Sequence, residues 1–134
     1  MTSRLRSPLV LASTSAFRRA LMAAAGLPFE VEAPGVDEIA SPGLSPKAVA
    51  RRLARLKAEA VGSRHPDALV IGSDQTLDLD GELLRKPGSR AEARRQIAGL
   101  AGREHALHTA VALVGSRRGF ARDSSPNTAI DKRR

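Results

Sequence analysis

The chain has 134 residues, enough for one domain with a real core, and three Phe with no Tyr or Trp make that core aliphatic. The absence of cysteine excludes disulfides, thiolate metal sites and cysteine nucleophiles. A net charge of +8 suits a phosphate-bearing partner, and no apolar run approaches the roughly 20 residues of a membrane helix, so the expectation is a soluble, cytoplasmic protein with no membrane partner.

The N-terminus carries two arginines before a short apolar stretch. At about five residues, that stretch is shorter than the core of a secretion signal. Leu9–Ala12 is continuously apolar and predicts a strand buried on both faces. A helix is predicted from about Ala16 to Ala25, closed by Gly26. Phe29, Val31 and Ala33 alternate with Glu30 and Glu32, the pattern of a strand with one wet face. The turn-rich segment that follows reads as a loop carrying the acidic pair Asp37–Glu38.

Ser45–Pro46 is a helix start, an N-cap followed by proline at the first helical position. Val49, Leu53, Leu56 and Ala60 recur at helical spacing and predict the buried stripe, with arginines and lysines on the other face and an end near Val61–Gly62. Ala68–Ile71 predicts a short buried strand, which the GSDQ run at 72–75 is expected to break. Thr76–Leu79 and Glu82–Leu84 flank Asp80–Gly81, a strong hairpin signal. Ser89 and Glu92 make a capping-box pattern that opens a helix to about Leu100, and Ala106–Val114 reads as a strand. The order β-α-β-α-β-hairpin-α-β predicts an α/β domain with a mixed sheet. Residues 115–134 lose all periodicity and hold half of the net charge, as a disordered basic tail would.

Three stretches carry chemistry. A strand ending in Ser13, Thr14 and Ser15 before a helix points backbone N–H groups and hydroxyls at a helix N-terminus, a natural anion site. Arg18 and Arg19 follow closely and suit phosphate oxygens, although Ser and Thr are also ordinary N-caps. Asp74 is placed just past the end of an apolar strand, where α/β sheets set ligands and catalytic groups. A carboxylate there serves to hold Mg²⁺ or activate a water, or else caps a loop. Lys86 precedes a proline and offers a point charge for phosphate, or is a solvated lysine. His105 and His108 are three apart in a strand, on opposite faces, and make a poor metal pair.

Together, LASTSAFRRALMAAAGLPFEV, VDE, VIGSDQTLDLDGELLRKP and LAGREHALHTAVALV, in that order, resemble the Maf family of nucleoside triphosphate pyrophosphatases. The resemblance covers about residues 7–114, so that residues 1–114 form the family-like domain and 115–134 an off-family tail. It implies an α/β, inosine-triphosphatase-like mixed sheet flanked by helices, with the second lobe truncated. It also implies hydrolysis of a nucleoside triphosphate to the monophosphate and diphosphate with a divalent cation, Mg²⁺ or Mn²⁺. By position, Ser13 and Arg18 match phosphate-binding residues, Glu38 the acidic residue of the DE motif, Asp74 the proton acceptor and a metal ligand, and Lys86 the motif lysine. SDQ at 73–75 and the aromatic Phe17 resemble the subfamily acting on 7-methyl-GTP, which gives Phe17 and Gln75 a role in base recognition.

Three positions depart from the pattern: Ala16 stands for the motif proline, Phe17 for the usual Trp, and Arg85 for the glycine of GKP. A homodimer is compatible with this reading. Two others stay open on sequence grounds: a non-catalytic nucleotide-binding fragment, and a small basic nucleic-acid-binding protein. The lack of aromatics among the arginines counts against the last.

Overall fold

The computed structural model describes residues 8–38, 42–115 and 130–133. Strands β1 (Leu9–Ala12), β2 (Glu30–Glu32) and β3 (Leu69–Leu79) are parallel, joined by helices α1 (Ala16–Ala24) and α2 (Pro46–Arg64). A hairpin leads from β3 to β4 (Glu82–Leu84); α3 (Arg90–Leu100), β5 (Ala106–Val114) and β6 (Ile130–Arg133) follow. The sheet order is β2-β1-β3-β5-β6 with β4 on β3, and β4, β5 and β6 run antiparallel to their neighbours. This is the mixed α/β sheet expected from the pattern.

The chain leaves β1 for β2 on one side and returns to β3 on the other. The strand order therefore reverses at the C-terminal end of β1, the place where open α/β sheets bind ligands. Right-handed crossovers put α1 and α2 on opposite faces of such a sheet. The α2 face is the core: Val10, Ala12, Val70, Ala110 and Ala112 pack against Ala50, Ala54, Ala58 and Val61. On the other face Leu107, Val111 and Leu113 of β5 are exposed, and α1 has no buried residue.

GSDQ does not break the strand. Residues 72–75 lie inside β3 and pair in unbroken register with Thr109–Ala112 of β5. Gly72 serves contact rather than a turn, since a Cβ there would lie inside the van der Waals distance of the Ala54 carbonyl oxygen and 2.7 Å from the Ala58 nitrogen. With alanines on one side and no side chain on the other, helix and strand backbones touch.

Three contacts set α2 along β3 and β5. Thr76 Oγ1 donates to the Pro46 carbonyl at 2.7 Å, Gly72 meets Ala54 and Ala58, and Val114 closes over Gly62. The start is also fixed locally, because Ser45 Oγ caps the Ala48 amide at 3.2 Å and Pro46 occupies the first turn. At α3 the Ser89 hydroxyl accepts from Glu92 N at 3.1 Å, while the Glu92 carboxylate reaches back to Gly88 N at 2.6 Å. Of the expected tail, Ile130–Arg133 pairs as β6 with Ala106–Thr109 instead of being aperiodic, and residues 116–129 and 134 lie outside the described residues.

Candidate active site

At the end of β1 the chain turns sharply. Ser13 N donates to the carbonyls of Leu11 and Glu32, and the Ser13 hydroxyl, buried, accepts from Ser15 N at 3.0 Å. Ser15 then caps α1, its hydroxyl accepting from Arg18 N at 3.2 Å. The first-turn amides of α1 have no intrahelical partner and point out of the helix end. Ala16 keeps an N–H where the family motif has proline, so this chain offers one more amide there. The corner expected from the sequence is therefore there, held by its own hydroxyls, at the kind of helix N-terminus that suits an anion.

Asp74 lies beyond the register end of β1, where Ala12 pairs with Gly72. It is not past the strand but inside it, buried, on the face covered by α2. There it meets Lys57, a residue the sequence reading left on the wet face of α2. Lys57 is only 7% exposed, and its Nζ lies 2.9 Å from Asp74 Oδ1 and 2.7 Å from Glu38 Oε1. One buried ammonium therefore holds together two carboxylates from a loop and a strand.

The signal for Lys57 was present but opposed by its charge. The buried positions of α2 are Pro46, Val49, Ala50, Leu53, Ala54, Lys57, Ala58 and Val61, and Lys57 falls in that stripe, whereas Leu56 and Ala60 are only half-buried. A lysine in the middle of an apolar stripe is buried only with partners. Burial pushes the Asp74 carboxyl above its ordinary value, against the hydrogen bond and charge of Lys57; the Glu38 charge pushes it further up and Arg18 pulls it down.

The remaining predicted site residues are not gathered there. Gln75, next along β3, points to the opposite face, and its Nε2 donates to Thr109 Oγ1 at 2.9 Å. Phe17 is 72% exposed on the first turn of α1. Lys86, two residues past β4, is exposed and forms no ion pair among the described residues. His108 is buried with Nε2 3.1 Å from Asp78 Oδ2, away from the cluster.

The donor set suits a hard divalent cation. Glu38 and Asp74 both reach a single ammonium, so the two carboxylates lie close together with Lys57 bridging them. Among the described residues no group of three or more His, Cys, Asp or Glu is placed to ligate a metal. A Mg²⁺-like ion held by one or two carboxylates ordinarily completes its shell with substrate phosphate oxygens and water.

The chain is similar to known proteins. The protein is 54% identical over 110 residues to the 7-methyl-GTP pyrophosphatase of Xanthomonas axonopodis pv. citri, a match covering 82% of this chain and 58% of that protein. It is 50% identical over 124 residues to the protein of the same name from Aromatoleum aromaticum, covering 92% of this chain and 64% of the other. The chain thus spans about three fifths of the length of these curated relatives. Among solved structures, the Staphylococcus aureus Ham1 protein superposes with a TM-score of 0.55 at 17% identity, over 94% of this chain and 69% of that one, which shows a shared fold. No helix among the described residues is long and apolar enough to cross a membrane. The family described as Maf-like protein matches residues 8–132, past the point where the motif resemblance ends, and the chain belongs to the Maf family.

Proposed function

We propose that this site hydrolyses a nucleoside triphosphate, 7-methyl-GTP or a close relative, to the monophosphate and diphosphate. The observation that carries the reading is the Glu38–Lys57–Asp74 cluster set beside the Ser13–Ser15 cradle where the strand order reverses. The name shared by the curated relatives supports the choice of substrate.

In this reading the cradle amides, the Ser13 hydroxyl and Arg18 hold the triphosphate. Asp74 orients a water toward the α-phosphorus and takes its proton as the new P–O bond forms. The bond from that phosphorus to the bridging oxygen breaks, and diphosphate leaves. A raised pKa makes Asp74 a better base than an ordinary aspartate while Lys57 keeps it ionised. Glu38 and Asp74 would hold a Mg²⁺ or Mn²⁺ ion, which would neutralise charge developing on the phosphate oxygens. Lys86 supplies a further positive charge to the leaving diphosphate once substrate draws it in. Phe17 offers a face for the base, and Gln75 a polar edge if released from Thr109. The reading sets the reaction in the cytoplasm. It also allows a homodimer, for which Leu107, Val111 and Leu113 on one face of β5 offer exposed apolar surface.

Diphosphate release from 7-methyl-GTP, GTP and the other canonical triphosphates, with and without Mg²⁺, tests the reading. Turnover is expected with Mg²⁺ and preferentially on the methylated base. Asp74→Asn is expected to keep the fold and lose about 10²- to 10⁴-fold in rate. Nucleotide binding with no turnover of any triphosphate overturns the catalytic part.

A further inference from the structure

The segment that brings Glu38 to the site leaves β2 at Glu32, and one helix holds it at two points. At the far end Lys57 Nζ takes Glu38. At the near end Arg64, seven residues further along α2 and so on the same side of the helix, makes three contacts. Its Nε lies 2.9 Å from Glu32 Oε2, and one terminal nitrogen donates to the carbonyls of Ala33 at 3.0 Å and Pro34 at 3.4 Å. His65, the C-cap residue of α2, adds a contact of 2.6 Å from Nε2 to Glu32 Oε1. The Glu32 carbonyl in turn accepts from Ser13 N at 3.0 Å, so the same residue braces the anion cradle. Between the two anchors lie only Gly35, in the left-handed region at φ 65°, Val36 and Asp37.

A carboxylate on a short loop reaches a fixed partner only if the start of the loop is fixed too. Arg64 is suited to this, because its planar fork satisfies a carboxylate and two carbonyls at once, which a lysine ammonium cannot match in one plane. We propose that Arg64 is a positioning residue for the active site, which holds Ala33 and Pro34 so that Glu38 meets Lys57 and, with Asp74, is preset for a divalent cation. The inference rests on the proposed role of Glu38 as a ligand.

The test measures Mn²⁺ binding by electron paramagnetic resonance on the full chain and its Arg64→Ala, Glu38→Gln and double variants. Amide hydrogen exchange over residues 33–38 and the Tm of each protein are followed alongside. Arg64→Ala is expected to stay folded, to speed exchange in 33–38, and to weaken Mn²⁺ binding roughly tenfold, the scale for losing a group that orients a ligand. Because both changes act through Glu38, the double variant is expected to bind no more weakly than Glu38→Gln alone. Wild-type affinity in Arg64→Ala beside a weakened Glu38→Gln, or losses that simply multiply in the double variant, overturns the positioning role and leaves the metal reading standing. A wild-type chain that binds no Mn²⁺, or a Glu38→Gln variant that binds as well as wild type, overturns both. Unaltered exchange in 33–38 overturns the clamp whatever the affinities.

Discussion

Lys57 Nζ lies 2.9 Å from Asp74 Oδ1, across a seam where the α2 and β3 backbones touch at Gly72. The ammonium and the carboxylate are both buried, and Glu38 is the second anion on the same nitrogen. The contact favours the ionised form of the group proposed to take the proton from water, against the effect of burial.

Hydrolysis by the wild type is expected to fall on the acid side with an inflection above 3.8, the ordinary value for an aspartate, because burial raises Asp74 and only the ionised form can accept a proton. A pH–rate profile of diphosphate release checks this. An inflection at or below the ordinary value would remove Asp74 from the base role.

Replacing Lys57 by Met keeps the stem and removes the charge that opposes protonation of Asp74. The acid limb is expected to move to higher pH, and the plateau rate to fall roughly ten- to a hundredfold, as for loss of a hydrogen bond to a charged group of about 1.5–3 kcal/mol. A profile with an unmoved inflection counts against the coupling.

Gly72→Ala inserts a methyl where the Ala54 carbonyl and Ala58 nitrogen leave no room. The helix must lift, at a cost of about 1–3 kcal/mol typical of overpacking. Thermal denaturation is expected to show a Tm several degrees lower, with activity lost in parallel as Lys57 is carried from Asp74. An unchanged Tm would mean that the seam is loose.

The Glu32 carboxyl is held below its ordinary value of 4.5, first by the hydrogen bond with His65 and then by Arg64, against a desolvation that acts the other way. A depressed acid stabilises the fold fully above its unfolded value, and that contribution is lost as pH falls below 4.5 through the folded value. Denaturant unfolding from about pH 6 down to about pH 3 is expected to show this decline in wild type and a flatter one in Glu32→Gln. Parallel curves would show that the contact adds nothing to stability.

Ser15→Ala removes the cap of α1, the hydroxyl that accepts from Arg18 N. Stability is expected to drop by about 0.5–2 kcal/mol. The KM for the triphosphate should rise more than kcat falls, since the cradle binds ground state and transition state alike. A change confined to kcat would place Ser15 in the chemistry instead.

Local signals in the sequence determined most of the elements. The Ser45–Pro46 and Ser89–Glu92 starts, the Asp80–Gly81 hairpin and the Ala106–Val114 strand each depend on residues within a few positions, and each is where its pattern put it. The Ser13–Ser15 corner was legible for the same reason, since caps and turns are local chemistry. The GSDQ run misled as a break because a glycine in a strand signals either a break or a close approach, and only the partner decides which. Lys57 was hidden because its charge argued for solvent, and its burial depends on Asp74 and Glu38 arriving from β3 and from the loop before α2. The sequence by itself thus named the groups that carry charge and the elements that carry them. Tertiary packing decided which of them meet: an alanine-lined helix resting on a bare glycine brought Lys57 to Asp74 and Glu38, and strand alternation turned Gln75 away from Asp74, its neighbour in the chain.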